Sequence, residues 1–589
     1  MRRLVLTPLP ELSPGHYEPD DVLLGPWCLH REGYAVGKAE GLTLLPEPLR
    51  GLSELTQAND YINSLRDRLL LGIASFANQL HGVDHSVRFW KIICNSWLRE
   101  WVSLSYDLYK RLLSSQAFGP MKTYIFERHA FRFGTYLDFM LSLRNHGPWS
   151  LLVSDIIRCS DAFGWLHYTE VPINDIRKAE LPEPGASRKL IDTRAPDGIV
   201  AKVSRYGKDR ARCRIDHVHG ISSKHELFFL LTTDPCCFLR TRTVMHKVFD
   251  SKEKDIDAIP LRFDPENDFE HTIFALLKQY LPCKLLRYEI FSFSRRCTTI
   301  SALDYTQQEK EYYYAHLLDQ GGEWIGAQHG CGYGMERLPD PLGETEFVDN
   351  LITWGWNHDR PGKAYFPLPA PSLAWLPKSN PSNRDKLLLI SSHLSSLYTP
   401  RMDLRENMVH YINSSVAKRK AFLRALSKDI LNACVYRPFF TQKTPEDIVT
   451  PLRNAFPELT VRSNNDISFH GALESTKLMV GDQFGTTFLQ AMAMDVPCIV
   501  VYNPAHNAYT DEFNKALEEL ARVGLVFTCP ERAAEYVNAV WPELYAWWQE
   551  PTRRLAVKDF CRTWAWRKND WYVDWQRFIR SRIVGEGAQ

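Results

Sequence analysis

The chain has 589 residues, room for more than one large α/β unit, and its 44% hydrophobic and 24% charged content is that of an ordinary globular protein. A formal net charge of +1 excludes a strong global field for steering DNA or RNA, so nucleic acid is not an expected partner. The 13 cysteines include no Cys-x-x-Cys pair, the N-terminus lacks an apolar run of signal-peptide length, and no stretch of about 18 apolar residues exists to cross a bilayer. Reduced thiols, no structural zinc and a cytoplasmic location are therefore expected, with membrane contact at most peripheral, at the inner face of the cytoplasmic membrane. Aromatic content of 12%, with 17 Trp and 25 Tyr, suits stacking on sugar rings or a membrane interface.

Arg3-Leu4-Val5-Leu6-Thr7 reads as a first strand, and Asp21 to Cys28 as a second one ending in a Gly-Pro turn. Trp27 follows that strand end, where it can line a ligand crevice or pack as a buried indole. From Leu52 to Leu113 the pattern is helical, with Leu65, Leu69, Ile73, Phe76 and Leu80 on one face. His81-Gly82-Val83-Asp84-His85-Ser86 breaks it; the two histidines serve either acid-base or metal chemistry or simply the turn, with Asp84 or Ser86 capping the second helix.

Between Gly147 and Ile300, Leu151-Leu152-Val153 and Glu226 to Leu231 read as short strands. Asp216-His217-Val218-His219 would put both imidazoles on one strand face, a spacing able to bind a metal, but no third ligand stands nearby. Asp255-Ile256-Asp257 matches an Asp-x-Asp metal signature inside a charge run that reads better as plain surface. No metal site is expected. Asp304, an acid on a polar stretch ahead of the next strand, is a candidate catalytic base or nucleophile.

Trp324 to Ala327 is a strand and Gln328-His329-Gly330-Cys331-Gly332-Tyr333-Gly334 a loop with three glycines, followed by a strand from Leu351. A histidine on a glycine loop after a strand is poised at a crevice for proton transfer or a phosphate hydrogen bond. His329 is therefore the leading catalytic candidate, with Gln328, Gly330 and Tyr333 as further residues of its loop. Close-packed glycines imply that the backbone approaches something tightly.

Pro367 to Asn383 is a proline-rich linker and the clearest domain boundary. A new α/β unit opens with Lys386 to Ile390, leaving Ser391, Ser392 and His393 at a strand end, and Arg437 ends the strand from Cys434 as a phosphate or carboxylate clamp or a surface ion pair. Leu478 to Phe513 then reads as strand, turn, helix and buried strand. Gly481-Asp482-Gln483-Phe484-Gly485 is the turn, Thr486 and Thr487 open a helix carrying Gln490, and Asn503 to Asn507 lie beyond the next strand. A glycine turn feeding a helix N-terminus is a natural anion seat, because free N–H groups and the helix dipole point to one place. The tail from Pro542 carries Phe560, Trp564, Trp571, Trp575 and Phe578 on one helical face, flanked by arginines and lysines. Such a helix can lie on an anionic membrane or pack back on the first domain.

The Gly481–Thr487 turn resembles the donor site of GT-B glycosyltransferases, in which a Gly-x-x-Ser/Thr-Thr turn holds the phosphates of a nucleotide sugar; Pro497 fits that pattern, and Gln490 stands where a ribose-binding acid is usual. LGPWC, NQLHGVDHSVRFW, QHGCGYG with ITWGW, and GDQFGTTFLQAMAMDVPCIVVYNPAHN together resemble a family of transferases encoded in bacterial O-antigen and other surface-polysaccharide gene clusters. The Gln-His-Gly loop is also similar to those of capsule glycosyltransferases that use CMP-Kdo, with Cys331 where a third glycine is usual.

These resemblances imply two Rossmann-like domains facing a cleft. Residues 1–370 would form the acceptor-side domain with a helical insertion at about 50–145, residues 384–545 the donor domain, and residues 546–589 helices that return to the first domain. The implied reaction moves a sugar from a nucleotide-sugar donor to a glycan or lipid-linked glycan acceptor without a cofactor. Gly481, Asp482, Gly485, Thr486, Thr487, Gln490, Arg437, Ser392 and His393 would bind the donor, and Gln328, Gly330, Tyr333 and Trp27 would be acceptor-side or loop residues. The alternatives are a non-catalytic carbohydrate- or nucleotide-binding subunit and a CDP-polyol phosphate transferase.

Overall fold

The structure is a computed structural model. It describes residues 1–585 except 10, 26, 29–41, 50–51, 130–132, 143–145, 174–198, 209, 217, 240–243, 251–255, 303–309, 337–343, 349, 358–362, 377–383, 392–407, 439–448, 463–465 and 505–508. His217, Asp255, Asp304, Ser392 and His393 fall outside the described residues.

Three parallel sheets follow one another along the chain. The first is built from β1 (Arg2–Val5), β2 (Val22–Leu23), β3 (Thr43–Leu44), β4 (Met121–Phe126) and β5 (Leu166–Val171), in the order β3-β2-β1-β4-β5. The second takes β6 (Cys213–Asp216), β9 (Thr298–Ala302), β10 (Glu323–Ala327), β11 (Asn350–Thr353) and β12 (Ala364–Pro367) in chain order; β7 (Val244–Asp250) and β8 (Arg287–Phe293) form a separate antiparallel pair. The third contains β13 (Lys386–Ile390), β14 (Cys434–Arg437), β15 (Thr460–Val461), β16 (Thr476–Gly481), β17 (Cys498–Val501) and β18 (Val526–Phe527), ordered β15-β14-β13-β16-β17-β18. The parallel α/β class expected from the buried apolar runs is thus observed. The span before the linker holds two sheets, where the sequence reading placed one Rossmann-like unit. In the third sheet the winding reverses between β13 and β16, the doubly wound arrangement whose ligand crevice lies outside the strand ends at the reversal.

The helical stretch between β3 and β4 is a hairpin of two long helices, Leu52–His81 and Val87–Ser114. Leu65, Leu69, Ile73, Phe76 and Leu80 are all fully buried, as their spacing predicts, and Ser86 caps the second helix by accepting the Phe89 N–H at 3.2 Å. Two expected strands are helices instead. Leu151-Leu152-Val153 lies in the helix His146–Cys159, and Glu226 to Leu231 lies in Ser223–Thr233, which opens on a capping box between Ser222 and His225. A short apolar run fits a buried strand or a buried helix equally well, and the flanking cap decides. The strand β6 ends at Asp216, so His219 stands in the following turn and not on a strand face.

The C-terminal helices tie the second and third sheets together. Pro551–Trp564 packs on the helices Thr486–Ala493 and Asp511–Arg522, and Trp571–Gly585 covers the second sheet, with Trp571, Trp575, Ile579 and Ile583 against Ile215, Ile300, Ile325 and Ile352. Phe560, Trp564, Trp571 and Trp575 are buried, and Phe578 packs on Phe366. Arg567 donates to the Ala493 and Leu376 carbonyls, each at 2.6 Å, and Arg580 to the Thr232 carbonyl at 2.9 Å. The aromatic stripe that could have lain on a membrane is therefore part of the core, because the second sheet offers it a dry face. Among the described residues no helix is long and apolar enough to cross a membrane.

Candidate functional site

At the carboxyl edge of the third sheet, where β13, β16 and β17 end, an open pocket is lined by Leu389, Val480, Gly481, Asp482, Val501 and Asn503 from the sheet side. Ser415, Lys418, Arg419 and Phe422 on the helix Met408–Ala425, with Pro530, close the other side. Gly481 and Asp482 are where the sequence placed them, and Asn503 joins them from the end of β17. The Asp482 carboxylate is not an open phosphate contact, since Arg419 grips its Oδ2 through Nε at 3.1 Å and Nη2 at 2.5 Å. Lys418 and Arg419 thus set two cations against one carboxylate at the reversal point. Neither was singled out from sequence, because their helix follows a stretch with no motif and only the fold brings it over the strand ends.

The turn after β16 meets the glycine loop of the second sheet directly. Gly485 is the N-cap of the helix Thr486–Ala493 and has no side chain to satisfy its first amides. Thr486 Oγ1 accepts the backbone N–H of Cys331 at 3.1 Å, and a Cβ on Gly330 would stand 3.1 Å from the same oxygen. Thr510 reinforces the contact, donating its N–H to the Met335 carbonyl at 2.8 Å and its hydroxyl to the Gly334 carbonyl at 3.0 Å. The object that the glycine loop approaches so closely is therefore the turn that opens the Thr486 helix. Thr487 and Gln490 lie half-buried on the first turns of the same helix.

Within the loop the residues divide their roles. Gln328 is buried and braces the turn: its Nε2 donates to the Gly330 carbonyl at 2.8 Å, and its Oε1 accepts from the Trp354 N–H and the Trp356 indole, each at 2.8 Å. It is a positioning residue, not an acceptor contact. Gly334, at φ +72°, leaves no room for a side chain, since a Cβ there would come within 2.8 Å of the Trp356 ring. Tyr333 holds His329, its hydroxyl 2.9 Å from the imidazole Nδ1, and the His329 ring remains half-buried at the rim. The His219 ring stands across from it, centroids 5.8 Å apart. Cys331 buries its thiol against Met335 and the Phe484 carbonyl, and burial pushes that thiol up to about 12.

The remaining candidates lie elsewhere. Arg437 is buried, donates to the Ile467 carbonyl at 2.8 Å, and burial lowers its pKa; it braces a loop beside β14 and does not line the pocket. Trp27 is buried in the first sheet with its indole N–H on the Leu6 carbonyl at 2.8 Å, a tilted contact with Trp149 and the Arg111 guanidinium over its ring. It packs the core and reaches no acceptor. His85 and His81 belong to the interface between the helical hairpin and Tyr288: His85 lies 2.8 Å from Asp319 and His81 2.9 Å from the Leu285 carbonyl.

Several solved structures share a fold likeness with the chain. A pneumococcal O-GlcNAc transferase, GtfA, in complex with UDP and GlcNAc is 10% identical over 49% of this chain and 57% of that one, at a TM-score of 0.31. The wall teichoic acid polymerase TagF is 10% identical over 54% of this chain and 86% of that one, at 0.28, and MurG of Acinetobacter baumannii is 11% identical over 48% and 73%, at 0.29. The chain spans little more than half the length of the first of these, and at such scores nothing about activity is drawn from them. No curated protein matches the sequence. The match of residues 2–579 to the LIC12162 family transferase decides the matter at family level: the chain belongs to that family, and it is a transferase.

Proposed function

We propose that the protein is a glycosyltransferase of GT-B type, in which the second and third sheets are the two walls of the cleft and the pocket at the third sheet takes a nucleotide-activated sugar. The observation that carries this reading is the hydrogen bond from Cys331 to Thr486, which brings the loop bearing His329 against the glycine-threonine turn at the head of a helix. Lys418, Arg419 and the first-turn amides of Thr486 and Thr487 supply positive potential for the donor phosphates, so the reading calls for no metal. His329 serves as the acid-base residue or phosphate contact, and Asp304, Ser392 and His393 remain candidates beside it. By the motif resemblance the donor is a CMP-linked ulosonic acid such as Kdo, and the acceptor a bacterial surface glycan or its lipid-linked precursor. The donor-domain assignment of residues 384–545, with 546–589 returning across the cleft, belongs to the same proposal, and the first sheet is an addition to the two-walled core.

Thermal-shift measurements with UDP, GDP, CMP and CDP compounds test the donor site: stabilisation by one nucleotide class is expected, and none by any of them removes the reading. With a matched donor, His329→Ala should lower turnover by about 10²–10⁴-fold, the usual range for a general acid or base. Wild-type turnover in that variant would remove the catalytic assignment.

A further inference from the structure

His219 lies in the turn after β6, at the same carboxyl edge of the second sheet from which the His329 loop leaves β10. Both sides of that turn are fixed. Before it, Asp216 is buried, with Lys310 Nζ at 2.7 Å, Lys208 Nζ at 3.4 Å and the Tyr314 hydroxyl at 3.3 Å. Against a desolvation that would raise it, Arg214, Lys310 and Lys208 together hold the Asp216 carboxyl well below the usual range. After it, Gly220 at φ +86° packs so tightly on the Pro371–Ala374 helix that a Cβ would stand 2.2 Å from the Ser372 nitrogen, and its carbonyl accepts the Trp375 indole at 2.7 Å. A turn clamped this firmly presents His219 as an exposed imidazole, facing the His329 ring at 5.8 Å between centroids.

We propose that His219 is a second catalytic histidine, acting on the acceptor while His329 acts on the donor. This rests on the glycosyl-transfer reading above. The division follows from position. His329 adjoins Gly330, which touches the Thr486 helix N-terminus where the donor phosphate would sit, whereas His219 is the more exposed of the two and stands on the second-sheet wall. In the transfer step the acceptor hydroxyl oxygen bonds to the anomeric carbon, and the bond from that carbon to the donor phosphate oxygen breaks with its electron pair leaving on the phosphate. The hydroxyl proton passes to the His219 imidazole and from there to water, and His329 hydrogen-bonds the departing phosphate oxygen. Two imidazoles from two clamped loops can work on opposite ends of one displacement without sharing a proton.

The test compares His219→Gln and His329→Gln in the full chain, using whichever UDP-, GDP- or CMP-sugar stabilises the wild type. Two rates are read, hydrolysis of that donor in water alone and transfer to a panel of oligosaccharides from bacterial surface glycans. The expected result for His219→Gln is a kcat lower by about 10²–10⁴-fold for transfer and lowered for hydrolysis as well, since the same base serves an attacking water, with donor KM and melting temperature close to wild type. His329→Gln, which takes away a contact to the donor phosphate, should lower both rates and raise the donor KM as well. Wild-type transfer by His219→Gln, or a raised donor KM in it, overturns the assignment of His219 while leaving glycosyl transfer in place. A wild-type protein that binds no nucleotide and turns over no donor overturns both.

Discussion

The first and third sheets reverse their winding in the same way, β1 against β4 and β13 against β16, yet the described residues at their strand ends differ. In the third, Gly481, Asp482 and Asn503 end the strands at an open pocket rimmed by Lys418 and Arg419. In the first, the Trp27 indole folds back over Gly25, so closely that a Cβ there would lie 2.2 Å from the ring, and donates to the Leu6 carbonyl beside the end of β1. Topology supplies a crevice at a reversal point, but side chains decide whether it stays open. One tryptophan turns the first into core.

The largest expected effect comes from reopening the filled crevice. Trp27→Ala should lower unfolding stability by about 3–5 kcal/mol, since Trp149 and Arg111 cannot collapse fully into the space. Nucleotide affinity in the folded variant should not change. Urea unfolding with parallel nucleotide titration checks this, and a large loss of affinity would mean that the first sheet contributes to the site.

The open crevice should respond oppositely, in affinity before stability. Arg419→Ala takes a cation from the pocket and leaves Asp482 facing any phosphate, so calorimetry should show nucleotide binding weakened about 10–100-fold, or roughly 1.4–2.7 kcal/mol. Unaltered affinity would place the phosphates elsewhere.

A smaller effect concerns the hairpin that anchors the first sheet to the second. His316 is buried there, 3.0 Å from the Glu289 carbonyl and edge-on to His85, and desolvation holds it down to about 4. From its ordinary 6.5 down to that value the unfolded chain takes up a proton that the folded chain refuses. Stability should thus be lost as pH falls through this window, by on the order of 1–3 kcal/mol, and His316→Gln should flatten the loss. Denaturation midpoints at pH 6.5 and 4.5 give the comparison, and equal acid sensitivity in wild type and variant would move the cause to another group.

Sequence legibility follows the same line between local and long-range interactions. Apolar spacing, a serine cap and a glycine turn act within a few residues, so the helical hairpin, the strands β10, β13, β14, β16 and β17, and the helix at Thr486 were readable directly. Leu151–Val153 and Glu226–Leu231 were not, because a short apolar run carries no period long enough to separate strand from helix. Gln328 was legible as a loop residue but not as a brace, since its partners Trp354 and Trp356 lie a strand away.

The sequence by itself determined the α/β class, the glycine loop with His329 and the turn from Gly481 to Thr487, because each is written in neighbouring residues with local backbone demands. Only the tertiary structure decided that these two motifs touch, that Asp482 is held by Arg419, that His219 faces His329, and that the basic aromatic tail belongs to the core. Those outcomes depend on which surfaces the packed sheets bring within a few ångströms of each other, over separations such as the 155 residues between Cys331 and Thr486. No local pattern in a chain encodes a contact of that kind.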